Sequence, residues 1–223
     1  MANIAIFDLD YTLTKRGTWG RFVIKTVKFK PWLWLPLAIS AGVTQWRYKQ
    51  GQLPRIRVKQ AMMRWSMVGK TRPYMENLAN DFADNEVANG LRPGALEALE
   101  HHRKNGDIII IASAAVDLIV RPIAERLNIQ YWVATDMKWQ DGKLASDFAS
   151  KNCYGPEKLE RVKQLFAKNP QLKRHHTVIT MYSDSYSDID ILRFCDKGVA
   201  VNADRKLQKL CGEENFETVD WNN

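Results

Sequence analysis

The chain has 223 residues, 45% of them hydrophobic, and 33 Lys and Arg against 25 Asp and Glu give a formal net charge of +8. That length can bury one full core with room for a smaller second module, and the composition is that of a soluble globular protein. Three cysteines, Cys153, Cys195 and Cys211, lack metal-type spacing and make no disulfide framework, which excludes a disulfide-stapled scaffold and suits a reducing cytoplasm.

Met1-Ala2-Asn3 leads directly into Ile4-Ala5-Ile6-Phe7, an apolar run that predicts a short buried strand and leaves no room for a signal peptide. Asp8-Leu9-Asp10-Tyr11-Thr12 comes next. A strand of this kind delivers the residues after it to the carboxyl edge of a parallel sheet, where α/β folds bind ligands. Two carboxylates two residues apart on extended backbone point to the same side and repel each other unless a cation neutralises them. The pair therefore invites a hard divalent ion such as Mg²⁺, which accepts carboxylates, a backbone carbonyl and water.

From about 17 to 88 the strand pattern gives way to helix-like spacing, punctuated by Pro31, Pro36, Gly42, Gly51, Pro54, Gly69 and Pro73. About four helices are predicted. No acidic residue stands between Asp10 and Glu76, whereas fourteen Lys and Arg do, from Lys15 to Arg72. Removing those fourteen leaves 19 basic residues against 25 acidic ones in the rest of the chain. Five of the eight tryptophans (Trp19, Trp32, Trp34, Trp46 and Trp65) share the basic stretch. Such a break in composition predicts a separate module with a partner of its own.

Arg92-Pro93-Gly94 opens a helix running to about Asn105, with Gly106 at its C-terminal stop. Strand 108–112 ends on Ser113. A helix over 116–127, a strand near 129–134, and a hairpin of 137–140 with 143–145 about Asp141-Gly142 come after it. Gly155-Pro156-Glu157-Lys158 puts Lys158 in the first turn of helix 156–168. Strand 177–182 leads into Ser183-Asp184-Ser185-Tyr186-Ser187-Asp188, then helix 188–194 and strand 198–201. Strands alternating with helices imply an α/β fold with a largely parallel sheet. Taken singly, Ser113 and Asp188 read as helix N-caps, Lys158 as a solvated lysine and Asp184 as a turn residue. His101-His102 and His175-His176 have no carboxylate or cysteine at useful spacing and are not read as ligands.

The order Asp-x-Asp, Ser, Lys, Asp-x-x-x-Asp, carried by Asp8, Asp10, Ser113, Lys158, Asp184 and Asp188, resembles the haloacid dehalogenase superfamily. The nearest branch is subfamily IB, the phosphoserine-phosphatase-like hydrolases, and the resemblance covers about residues 1–14 and 91–205. It implies a Rossmann-like catalytic core over 1–16 and 89–223, with a helical C1-type cap over 17–88. It further implies Mg²⁺-dependent hydrolysis of a phosphate monoester through an aspartyl-phosphate. By resemblance, Asp8 is the nucleophile and Asp10 the general acid and base. Thr12, Ser113 and Lys158 bind the phosphoryl group, and Lys158 also acts in catalysis. The metal is held by Asp8, the Asp10 carbonyl and Asp184, with Asp188 in support. Members of the branch that act on phosphoserine carry a glutamate for the substrate amine where this chain has Gly17, and Ser187 stands where many have asparagine.

The stretch 31–43 is the most apolar in the chain and is flanked by cations, yet is too short to span a bilayer of ~30 Å. It reads either as the cap's own core or as an interfacial segment, with Trp at headgroup level and Lys and Arg facing anionic lipid. The resembled group includes enzymes acting on phosphatidylglycerophosphate, so an anionic lipid phosphate is the first substrate expectation. Phosphoserine, a sugar phosphate or a nucleotide is the second. A nucleic-acid-binding protein on a phosphatase scaffold is disfavoured by the intact catalytic set. The expected location is cytoplasmic, with peripheral contact at the inner face of the membrane if the basic stretch meets lipid.

Overall fold

The computed structural model describes residues 2–172 and 177–222; the pair His175-His176 lies outside them. Strand β1 (Ile4–Phe7) is followed by a wide turn over Leu9–Leu13 and then by four helices: α1 (Thr18–Val27), α2 (Trp34–Lys49), α3 (Ile56–Ser66) and α4 (Arg72–Asn85). The α/β alternation then resumes with α5 (Pro93–Lys104), β2 (Ile108–Val116), α6 (Asp117–Arg126) and β3 (Tyr131–Thr135). A hairpin of β4 (Met137–Gln140) and β5 (Lys143–Phe148) precedes α7 (Pro156–Lys168) and β6 (Ile179–Ser183). The described chain ends with α8 (Ile189–Phe194), β7 (Lys197–Val201), α9 (Arg205–Leu210) and β8 (Glu217–Val219).

Six strands form one parallel sheet in the order β3-β2-β1-β6-β7-β8. The chain winds outward from β1 through β2 and β3, then restarts on the other side at β6. The direction of winding therefore reverses between β1 and β6, and ligands of such sheets bind beyond the carboxyl ends at that reversal. All four residues of β1 are buried, because helices cover both faces of the sheet. Two apolar cores result. One face packs Ala5, Phe7, Ile109 and Ile111 toward α1, α4, α5 and α6; the other packs Ile4, Ile6, Ile110 and Met181 toward α7 and α8.

Several sequence expectations shift by a few residues. Strand β2 runs on to Val116, past the expected end at 112, with an irregular register between Ala112 and Val116. Ser113 sits in that irregular stretch; its Oγ accepts from Ala115 N at 3.0 Å, so it does not cap α6. The expected helix over 188–194 begins as a tight turn at Tyr186–Asp188. Elements α9 and β8 carry too few residues for periodicity to reveal them. Trp221, just beyond β8, packs 5.3 Å from Tyr182 and 6.3 Å from Phe7, ring centroid to ring centroid.

The hairpin joins the helical insertion through backbone. Gly69 N donates to the Leu144 carbonyl, Leu144 N to the Lys70 carbonyl, and Arg72 N to the Gly142 carbonyl. Helix α2 behaves unlike a core helix: Leu37 is its single buried residue. No helix among the described residues is long and apolar enough to cross a membrane.

Candidate active site

Residues from four separate stretches meet beyond the carboxyl ends of β1, β2 and β6. Asp8, immediately after β1, is buried, and its Oδ1 accepts from Lys158 Nζ at 2.7 Å. Lys158 reaches in from the first turn of α7, whose start is set by Gly155 at φ 60°, a left-handed conformation that a glycine adopts without strain. The same Nζ donates to Asp188 Oδ2 at 2.7 Å, and Ser183 Oγ donates to that oxygen too. Asp188 therefore spends its carboxylate on Lys158 and Ser183 and makes no cap bond from its side chain. Lys158 is 2% exposed, which rules out a solvated role.

The wide turn over Leu9–Leu13 separates the two carboxylates that the sequence suggested would face one way. Tyr11 takes φ 64°, and the chain leaves extended geometry right after Asp8. Asp8 turns inward to Lys158, while Asp10 Oδ1 accepts from Thr18 N at 2.8 Å and Thr18 Oγ1 at 2.7 Å. Asp10 thereby caps the first turn of α1 and ties the site to the helical insertion. Thr12 Oγ1 lies 3.4 Å from Asp8 Oδ2 and 3.3 Å from Asp184 Oδ1, and it accepts from Asp184 N at 3.0 Å. Ser113 is fully buried and lines the same cavity, of about 260 Å³, with Asp8, Asp10, Lys158, Asp184 and Asp188.

Electrostatics sharpen the picture. Burial, with the nearby charges of Asp188 and Asp184, pushes the Asp8 carboxyl up to about 8 despite Lys158. Burial, with Asp188 next, pushes Asp184 up to about 6. Burial alone would lower Lys158, but the Asp188 and Asp8 carboxylates outweigh it and hold the ammonium well above its ordinary value. Three buried or half-buried carboxylates thus crowd one lysine.

The donor set fits a divalent cation. A single Thr12 hydroxyl proton serves two carboxylate oxygens, and Asp188 Oδ1 is a buried acceptor without a donor among the described residues. Both are the signs of a site short of positive charge. No cluster of three or more His, Cys, Asp or Glu able to hold a metal ion occurs among the described residues. An ion here would be completed by a backbone carbonyl and water, as suits Mg²⁺.

A second cavity, of about 530 Å³, adjoins the first, and Asp10, Tyr11, Arg55 and Ala114 line both. Sequence reasoning missed its key residues. Lys59 reaches from α3 to donate to the Ala114 carbonyl and to Asn152 Oδ1, at 2.7 Å for the latter. Both acceptors are neutral, and burial pulls its ammonium down to about 8. Arg55 lies over the Tyr154 ring at 4.4 Å, whereas Arg21 is paired with buried Glu86. Trp19 also lines this cavity, and its Nε1–H is buried without an acceptor among the described residues. Gly17 borders it as well; a side chain there would come within 3.2 Å of the Tyr11 ring. No local pattern announces Lys59 or Arg55, because each contact spans distant parts of the sequence. Trp19 and the basic run were the available signals.

His102, which the sequence left unassigned, is committed elsewhere: Nδ1 contacts Asp107 at 2.8 Å and Nε2 contacts Tyr182 Oη at 2.9 Å. The three cysteines are buried. Burial pushes the Cys153 thiol up to about 12, which keeps it protonated and unreactive.

Comparison with known proteins places this geometry in a family. A protein from Bordetella pertussis Tohama I of unknown function superposes with a TM-score of 0.85 at 20% identity, covering 99% of this chain and 100% of that one. A substrate-bound phosphoserine phosphatase superposes with a TM-score of 0.65 at 16% identity, over 100% of this chain and 94% of that one. In sequence, a histidinol-phosphatase of Neisseria meningitidis serogroup C is 23% identical over 228 residues, covering 99% of this chain and 100% of its own length. The family model described as haloacid dehalogenase-like hydrolase matches residues 5–193, and the chain belongs to that family.

Proposed function

We propose that the chain is a Mg²⁺-dependent phosphatase that cleaves phosphate monoesters through an aspartyl-phosphate on Asp8. In this reading, residues 1–16 and 89–223 form the catalytic core and 17–88 the cap. The observation that carries it is the buried Asp8–Lys158–Asp188 chain at the sheet's reversal point. A carboxylate held this way is aimed and desolvated, and a fixed ammonium beside it offsets phosphoryl charge.

An Asp8 carboxylate oxygen attacks phosphorus; the bond from phosphorus to the ester oxygen breaks, and the leaving alkoxide takes a proton from the Asp10 carboxyl. Asp10, now ionised, removes a proton from a water molecule. That water's oxygen attacks phosphorus, the bond to Asp8 breaks, and inorganic phosphate leaves. Thr12, Ser113 and Lys158 hold the phosphoryl oxygens, while Asp188 orients Lys158. Mg²⁺, held by the Asp8 and Asp184 carboxylates and the Asp10 carbonyl, would neutralise phosphoryl charge.

The second cavity supports a substrate whose remaining portion is anionic. Arg16, Arg55 and Lys59 line it, and the Trp19 N–H awaits an acceptor. No carboxylate stands at Gly17 to receive an amine. An anionic lipid phosphate such as phosphatidylglycerophosphate meets these demands, and Ile24 at the cavity wall, 48% exposed, accommodates an apolar portion. The second reading is a soluble metabolite, favoured by the names of the histidinol-phosphatase and phosphoserine phosphatase relatives.

Phosphate release from phosphatidylglycerophosphate, phosphatidate, phosphoserine, histidinol phosphate, sugar phosphates and nucleotides, each with Mg²⁺ and with EDTA, tests both levels. Turnover should require Mg²⁺ and favour the lipids; turnover confined to a soluble compound would reject the lipid substrate while keeping the chemistry. Asp8→Asn should lower turnover by roughly 10⁴-fold or more with the fold intact, and an active variant would refute the nucleophile.

A further inference from the structure

Helix α2 presents to solvent the face that its composition would normally bury. Leu35, Ile39, Val43 and Trp46 are 69%, 58%, 52% and 58% exposed, and their spacing puts them on one side of the helix. Phe29 and Trp32, in the segment just before the helix, are also exposed, at 85% and 68%. Scattered exposed apolar residues are ordinary, but a contiguous strip rimmed by charge marks a contact surface. The charged residues that flank it along the chain are cationic: Lys25, Lys28 and Lys30 precede the strip, Arg47 and Lys49 follow it, and no acid occurs between Asp10 and Glu76.

We propose that this strip docks on the surface of an anionic phospholipid bilayer, with α2 lying in the plane of the interface. Charge decides the occupant. A second copy would set the same cationic rim against itself, with no acid from this stretch to offset it. A nucleic acid would need cations within the contact face, where this chain has Leu35, Ile39 and Val43. An anionic bilayer offers apolar depth for the strip and negative headgroups for the rim. Sixteen residues make a helix of roughly 24 Å, suited to lying in the interface and too short to cross it. Gln45 of the docking helix lines the larger cavity beside Ile24 of α1, so docking would bring that cavity close to the membrane surface. Docking does not depend on the catalytic reading.

The test is co-sedimentation of the full chain with phosphatidylcholine vesicles and with vesicles that also contain phosphatidylglycerol. Wild type should pellet with the anionic vesicles and not the neutral ones, and salt should weaken the binding. Ile39→Glu with Trp46→Glu, both at exposed positions, should lower the partition coefficient by about tenfold or more while circular dichroism stays unchanged. The double variant should keep wild-type turnover of p-nitrophenyl phosphate, a soluble probe. Failure of wild type to bind anionic vesicles, or equal binding by the variant, would overturn the proposal. So would dimerisation, or binding to single-stranded nucleic acid, that the double substitution abolishes. Loss of p-nitrophenyl phosphate turnover in wild type would count against the phosphatase reading and leave the docking result standing.

Discussion

Lys158 is the residue on which the site's stability and chemistry meet. It sits between Asp8 and Asp188 at 2.7 Å from each, and its removal would leave two buried carboxylates without their cation. Breaking a buried pair in this way costs about 3–5 kcal/mol. Lys158→Ala should therefore lower both the denaturation midpoint and turnover. A variant of wild-type stability would show that the pair contributes little in solution. Asp8→Asn removes one of the crowded carboxylates, so its stability should equal or exceed that of wild type in the same denaturant series. Neither Thr18 nor Lys59 could be assigned from local pattern, although both act on the site through side-chain bonds to Asp10 and Asn152.

Among the elements, α3 brings a buried cation to the larger cavity. Lys59 lies in its first turn and a half and reaches Ala114 of β2 and Asn152 in the loop before α7, both neutral partners. Lys59→Met should raise KM for an anionic substrate by about tenfold or more, the worth of a charge-assisted hydrogen bond, with kcat changed little. The pH dependence has a definite sign. Burial lowers Lys59 from 10.5 to about 8, so between those values the folded state binds fewer protons than the unfolded one. Its contribution to stability therefore rises with pH across that window, while its charge in the cavity is lost. KM of wild type should climb above pH 8 by more than that of Lys59→Met; parallel profiles would exclude Lys59 as the titrating group. The three backbone bonds between the hairpin and the α3–α4 junction make the helical insertion continuous with residues outside 17–88.

For the molecule as a whole, the last described residues close the sheet. Trp221 packs on Tyr182 and Phe7, and Gly94 lies beneath it so closely that an added Cβ would fall 2.4 Å from the indole. Trp221→Ala should destabilise the fold by about 3–5 kcal/mol, and Gly94→Ala by about 1–3 kcal/mol through overpacking. Thermal and urea unfolding measure both, and a near-neutral Trp221→Ala would show that the C-terminal segment is dispensable. The charge asymmetry also acts at this scale, since residues 15–72 supply both the cations that line the larger cavity, Arg16, Arg21, Arg55 and Lys59, and the exposed strip of α2.

The sequence by itself determined whatever depends on neighbours along the chain. Strand Ile4–Phe7 and helix Pro156–Lys168 have the bounds that apolar pattern and the Gly-Pro start predict. Asp8, Ser113, Lys158, Asp184 and Asp188 were singled out by an order that resembles one family's, not by local pattern, and the parallel winding brings them around one cavity. Tertiary structure alone decided the rest. The turn that sends Asp10 to Thr18 depends on where α1 packs, and Trp221 has no seat until β1, β6 and α5 are assembled. The apolar run of α2 could have been core or surface. Its burial depends on whether another element covers the strip from Leu35 to Trp46, and none of the described elements does.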